Sequence, residues 1–161
     1  MRFGGSMTDI PAVHEYTDAW NWPDEVQRFV RDQLPEGRVL NVPCGACRVG
    51  DVLVDAEPQS EEVQQGDMMD LDFADCSFDA VISDPPWKQL NYFDRWKAFF
   101  ECVRVTKPNG LIIYNATWEP HSDQCEVVGR YRRADGAFRQ VSQITVYRRY
   151  PNQSTWGKWN D

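Results

Sequence analysis

The sequence predicts one α/β domain, a mainly parallel sheet finished by a C-terminal antiparallel hairpin and short of some of the helices that usually join parallel strands. Three observations carry this expectation. Short apolar, β-branched runs alternate with segments of helical spacing through residues 23–116, the pattern of strands joined by helices. Two longer strand-like runs, 125–132 and 138–147, flank Asp135-Gly136, a hairpin signal. A chain of 161 residues also suits a single core, since domains cluster near roughly 100–150 residues.

The elements follow in order. Residues 1–16 have no clear period and read as a loose arm on a domain taken to span 1–161, with 1–20 as the arm and 121–161 as a basic hairpin and tail. Residues 23–34 predict a helix: Pro23 suits its first turn, Asp24 and Glu25 complement its positive end, and Val26, Phe29 and Val30 share a face. Pro35-Glu36-Gly37 ends it. Residues 38–43 predict a first strand running into a tight turn at Cys44-Gly45-Ala46, residues 51–54 a second that closes on Asp55, and residues 65–69 a third. Residues 78–83 read as a buried fourth strand that Pro85 and Pro86 halt. Tyr92, Phe93, Trp96, Phe99, Phe100 and Val103 recur at helical spacing, predicting a helix over 91–105 that packs these aromatics on the sheet. Pro108-Asn109-Gly110 then turns the chain into a fifth strand at 111–116. Only residues 44–50 link the first two strands, whereas a parallel crossover with its helix normally needs at least about 10 to 12, so that helix is expected to be lost or cut to one turn.

Composition narrows the function classes. No apolar run approaches the roughly 20 residues that span a bilayer, and residues 1–9 lack the apolar core of a secretion signal, which predicts a soluble cytoplasmic protein without a membrane partner. Five irregularly spaced cysteines read as reduced thiols. Cys44 and Cys47 have the spacing of half a zinc or redox site, but no second pair lies nearby, so no metal is expected. The net charge of −8 argues against a polyanionic partner, yet it is polarised: residues 1–120 carry a net −11 and residues 121–161 a net +3. Four lysines against 13 arginines, with 16 of the 25 acids Asp, resemble the proteins of halophilic archaea, so the acidity has a second explanation in habitat. On that reading, transfer from molar KCl to dilute buffer unfolds the protein; a circular dichroism spectrum indifferent to salt would remove it.

The most specific motif is Asp84-Pro85-Pro86-Trp87 at the end of the fourth predicted strand. An exocyclic amine on a nucleobase is a poor nucleophile because its lone pair is conjugated with the ring. Two acceptors aimed at its hydrogens draw the nitrogen toward tetrahedral geometry and free that lone pair. The Asp84 carboxylate can be one acceptor and the Pro85 carbonyl the other, with the adjacent Pro86 stiffening the chain. Trp87 offers a flat face, and stacking a base on an aromatic is worth about 1–3 kcal/mol. In parallel sheets ligands sit beyond the carboxyl ends of the strands, where this motif falls.

From these residues the chain resembles the DPPW group of adenine-N6 methyltransferases and, more broadly, the DNA and RNA amino-methyltransferases, which use S-adenosylmethionine on a Rossmann-like sheet. The segment 39–45 (Val-Leu-Asn-Val-Pro-Cys-Gly) is similar to the family's first motif, which implies that Asn41, Val42, Pro43, Cys44 and Gly45 pass beneath the cofactor's methionine part. Asp55 matches the acid that receives the ribose hydroxyls, and Gly66-Asp67-Met68 resembles the segment at the cofactor's adenine. Lys107-Pro108-Asn109-Gly110 resembles the family's Lys-Pro-Gly-Gly turn. The resemblance covers about half the chain and implies methylation of a nucleobase amine, adenine N6 before cytosine N4 and DNA before RNA. Other acceptors remain open: RNA, a protein amide or a small amine, as does a catalytically degenerate methyltransferase fold that serves as a nucleic-acid-binding or assembly module.

Outside the motif the readings divide. Lys88, Arg130, Arg132 and Arg133, with Arg148 and Arg149, can track a phosphate backbone or simply face water from an exposed hairpin. Trp20 and Trp22 read as core residues that staple the first helix, ahead of a role as covers for the cofactor or base. The chain has no room for a large target-recognition domain, so specificity is short, carried by loops, or supplied by a protein partner or second copy.

Overall fold

The computed structural model describes residues 8–9, 22–134 and 140–151. In chain order the elements are β1 (Thr8–Asp9), α1 (Asp24–Gln33), β2 (Val39–Asn41), β3 (Val52–Asp55), β4 (Val63–Gln65), β5 (Phe78–Ser83), α2 (Tyr92–Val105), β6 (Thr106–Ala116), β7 (Cys125–Ala134) and β8 (Gln140–Arg149). The strands form one sheet in the order β1-β7-β8-β6-β5-β2-β3-β4. The body from β6 through β5, β2 and β3 to β4 is parallel, as predicted. The closing hairpin is also present, but its reversed strand is the inner one: β8 pairs antiparallel with both β6 and β7, so β7 lies beyond it and runs with the body. The predicted turn at Asp135-Gly136 lies outside the described residues, as does most of the arm; within the arm, Thr8 and Asp9 pair with Tyr131 and Arg132.

Successive residues of the central strands feed opposite faces, as the pleat dictates. Val39, Ala80, Ile82 and Ile113 meet Val26 and Val30 of α1 on one side. Leu40, Val81, Ile112 and Tyr114 meet Phe99, Cys102 and Val103 of α2 on the other. Val26 and Val30 are fully buried, each contributing about 1.5–3 kcal/mol by leaving water.

The shortened link after β2 holds no helix. Cys47 N donates to Cys44 O in a single turn, and the chain then runs back beside β2, where Asn41 Nδ2 donates to Val49 O (2.9 Å) and Asp51 N to Val39 O (2.8 Å). Cys47 and Val49 are buried on the α1 face, filling the volume a crossover helix would occupy. Gly50 permits this return through its φ of +121°, a conformation that L side chains rarely adopt.

Several expectations are corrected. The third strand is Val63–Gln65, not 65–69: Val63 is its buried anchor, and the chain leaves the sheet after Gly66, where any Cβ would come within 2.8 Å of Val54. The aromatics of α2 do not all pack on the sheet. Phe99 is buried, but Tyr92, Phe93 and Phe100 are 66%, 73% and 45% exposed, because one stripe of the helix is all the sheet can cover. Trp96 stacks between Tyr92 and Phe100 along the outer face, with ring centroids 6.2 and 5.4 Å apart. Arg149 neither faces water nor tracks phosphate. It is fully buried, and its Nη1 donates to the carbonyls of Val103 (2.9 Å), Arg104 (3.2 Å) and Thr106, closing the end of α2. No helix among the described residues is long and apolar enough to cross a membrane.

Candidate functional site

Strands β2, β3 and β5 are parallel neighbours, so their carboxyl ends share one edge of the sheet, and the loops leaving them enclose a cavity of about 410 Å³. That volume lies in the range of small-molecule sites. All eight residues that the sequence assigns to a cofactor line it: Asn41, Val42, Pro43, Cys44, Gly45, Asp55, Asp67 and Met68. Asp84 and Pro86 join them, together with Trp22 from the start of α1. Glu57, Gln59 and Gln89 also line the cavity and were missed; their only signal is that they closely follow Asp55 and Trp87 in the chain.

At the β3 end, Asp55 Oδ2 accepts from Gly45 N (2.8 Å) and Oδ1 from Glu57 N (3.0 Å). These bonds order the turn at Gly45, which has φ +51°. An ionised carboxylate has about four lone-pair sites, so Asp55 retains acceptor capacity toward a ligand. The turn's carbonyls are held from the other side: Arg48 Nη1 donates to Gly45 O (2.8 Å) and Cys47 O (3.1 Å), while its Nε pairs with Glu62 (2.6 Å). Arg48 therefore does for this loop what the missing helix would have done. Arg48→Met is expected to cost about 1 kcal/mol in thermal denaturation and to speed hydrogen exchange at the Gly45 and Cys47 amides. Burial, then the nearby Asp55 charge, pushes the Cys44 thiol up to about 11, so it lines the cavity as a neutral group.

At the β5 end, Asp84 is held by two donors: Trp22 Nε1 at 2.8 Å on Oδ2 and Asn115 Nδ2 at 3.0 Å on Oδ1. Burial pushes its carboxyl up to about 6, against the Arg133 charge and the hydrogen bonds from Asn115 and Trp22, which lower it. The Pro86 carbonyl accepts from Gln89 N (3.1 Å), whereas the Pro85 carbonyl has no backbone partner among the described residues. Trp22 is only 5% exposed, so it is a core residue and a wall of the cavity at once.

Three placements differ from expectation. Pro85 is buried and is not among the residues that line the cavity. Trp87 packs against the α2-side core and donates through Nε1 to Asn115 O (3.1 Å); it is not among the lining residues, so its face is not presented to the cavity. Arg133 is 5% exposed and acts on Asp84, withdrawn from any surface phosphate track by burial beneath the hairpin. Arg130 pairs with Glu119 at 2.5 Å, while Lys88 and Arg132 are exposed.

Residues 48–114 match the family described as methyltransferase domain. A stretch of 52 residues is 42% identical to demethylmenaquinone methyltransferase of Desulfitobacterium hafniense, covering 32% of this chain and 20% of that protein. The match thus spans about a fifth of that relative's length. The fold is similar to that of the 1,6-didemethyltoxoflavin-N1-methyltransferase of Burkholderia thailandensis, with TM-score 0.61 and 12% identity over 79% of this chain and 77% of that one. It is also similar to the PH0226 protein of Pyrococcus horikoshii, with TM-score 0.54 and 20% identity over 77% and 87% of the two chains. The strand order and these similar structures give the chain a class I methyltransferase fold; the Burkholderia protein of that fold holds S-adenosylhomocysteine. Compared with that fold, this chain has a single turn in place of the helix after the first motif strand.

Proposed function

We propose that this protein transfers a methyl group from S-adenosylmethionine to the amine nitrogen of a planar acceptor, most readily the exocyclic amine of a nucleobase, adenine N6 before cytosine N4 and unpaired DNA before RNA. The observation that carries this reading is the joining of two residue sets in one cavity: the residues of the first motif and strand-end acids, and an acceptor-only carboxylate on Asp-Pro-Pro. The residues fit the cofactor. Asp55 keeps lone pairs for ribose hydroxyls, and Asp67, with one oxygen on Met69 N (2.9 Å), keeps the other for the adenine amine. Among the described residues no Lys or Arg lines the cavity, and Asp55, Glu57, Asp67 and Asp84 do, a lining that suits a cationic sulfonium.

S-adenosylmethionine supplies an electrophilic methyl group. The chain's part is to bind and orient the amine: Asp84 and the Pro85 carbonyl accept its two hydrogens, so the lone pair leaves conjugation. A base within a duplex has to be flipped to reach Asp84.

A second reading, a small amine or protein amide as acceptor, is favoured by the acid lining and by the burial of Arg133 and Arg149, which leave less positive surface for a nucleic acid. A protein partner that supplies specificity has a parallel in a Haloferax volcanii methyltransferase of similar fold (TM-score 0.56), which forms a complex with the activator Trm112. Incubation with methyl-labelled cofactor and, in turn, single-stranded DNA, RNA, a peptide mixture and free amines tests the assignment. Label in N6-methyladenine after nuclease digestion is expected; label confined to peptides or free amines would transfer the assignment to the second reading.

A further inference from the structure

We propose that Trp22 and Asn115 are positioning residues that clamp the Asp84 carboxylate, one donor to each oxygen, so that its remaining lone pairs face the cavity for the acceptor amine. This deepens the proposed function and rests on it for its catalytic consequence, although the clamp itself is measurable without any acceptor. The two donors come from opposite sides: Trp22 from the segment entering α1, Asn115 from near the end of β6. Each is itself fixed. Gln27 Nε2 donates to Trp22 O (2.7 Å), which ties the tryptophan's backbone to the first turns of α1. Ser142 Oγ on β8 donates to Asn115 Oδ1 (2.7 Å). That bond determines which end of the amide points where: its oxygen is committed to Ser142, so its NH₂ faces Asp84. The backbone of Asn115 in turn holds Trp87 through its carbonyl. Asn115 thus links the strand that carries the motif to the inserted strand β8.

Geometry explains why two donors are needed. A single donor leaves a carboxylate free to rotate about its Cβ–Cγ bond, whereas one on each oxygen sets its plane. Hydrogen bonds to the charged form also favour ionisation, opposing the burial that pushes Asp84 upward. The other titratable groups facing it are Arg133 from β7, which favours the charged form, and Cys47 from the link after β2 and Tyr114 from β6. Both of these are held neutral by burial, so their ionisation does not compete at neutral pH. An ionised Asp84 is a pure acceptor, while a protonated one presents a donor to an amine that needs none.

The test is a ¹³C NMR titration of the Asp84 carboxyl in the full-length protein, compared with Trp22→Phe, Asn115→Ala and Ser142→Ala. Trp22→Phe keeps the ring and removes the N–H, and is expected to raise the Asp84 pKa by about one pH unit. Asn115→Ala should do the same, and Ser142→Ala less, because it loosens a donor without deleting it. The acid limb of the kcat profile should move by the same amount in each variant. An Asp84 pKa unmoved in folded Trp22→Phe and Ser142→Ala would overturn the clamp. If the pKa moves as expected while wild-type protein methylates none of the acceptors, the clamp stands and the methyltransferase reading fails instead.

Discussion

Asp84→Asn is expected to cut methyl transfer about 100- to 1,000-fold and to stabilise the folded protein above pH 6. The loss follows from chemistry: a carboxamide offers one acceptor oxygen where the carboxylate offers two, and its NH₂ points a donor at the substrate amine or at a clamp residue. The stability gain follows from linkage. Burial raises the folded-state pKa of Asp84 to about 6, above its ordinary 3.8, so between those values the folded chain holds more protons than the unfolded one. Stability attributable to this group is therefore greatest below pH 3.8 and is lost as pH rises through 6. The displacement corresponds to at most about 3 kcal/mol, and the mismatch of a carboxamide with two donors takes back part of it, leaving a net gain of about 1–2 kcal/mol at pH 8. Urea denaturation of both proteins at pH 4 and pH 8, with initial rates at pH 8, checks both halves. The wild-type rate itself should fall as pH drops through 6.

The second large effect concerns the core. Arg149→Met is expected to destabilise the fold by about 1–3 kcal/mol. Two terms oppose each other here. Burying a guanidinium is costly, and replacing a buried charge by an apolar chain of similar length is often neutral when its partners go too. Here the partners stay: Val103 O keeps the Thr106 N–H and Arg104 O keeps the Cys76 N–H, but the buried Thr106 carbonyl loses its donor, at a cost of about 1–3 kcal/mol. Loss of this donor and of the packing of the long side chain against the end of α2 outweighs the relief of desolvation, so the sign is a loss. Arg132→Met, at an exposed position two strand residues from Arg130, should stay within about 0.5 kcal/mol in the same urea titration.

Local pattern made much of this architecture legible. β5 occupies the predicted 78–83 because a short, mostly apolar run halted by Pro85 and Pro86 has few alternatives, and α1 lies inside the predicted 23–34. The missing helix after β2 followed from counting residues between two strands. The cofactor-type residues gather because parallel strands put their carboxyl ends together, whatever fills the loops. What escaped depends on pairings distant in sequence. A hairpin signal says that β7 and β8 pair, but not which of them faces β6. Arg149 looks like any strand-end arginine until it meets carbonyls 43 to 46 residues earlier in the chain. Trp22 could be read as core or as site; it is both, since its ring is buried while its N–H reaches Asp84, 62 residues away. Trp87 shows the converse: its motif position suggested a platform, and the indole N–H is instead committed to Asn115 O.

The central claim is that the cavity at the ends of β2, β3 and β5 takes S-adenosylmethionine despite the trimmed loop, and calorimetric titration of the protein with that cofactor in molar KCl tests it most directly. The account predicts one saturable site in the wild-type protein, lost in a folded Asp55→Ala variant. Absence of binding heat from folded wild-type protein, or binding indifferent to Asp55→Ala, would contradict it.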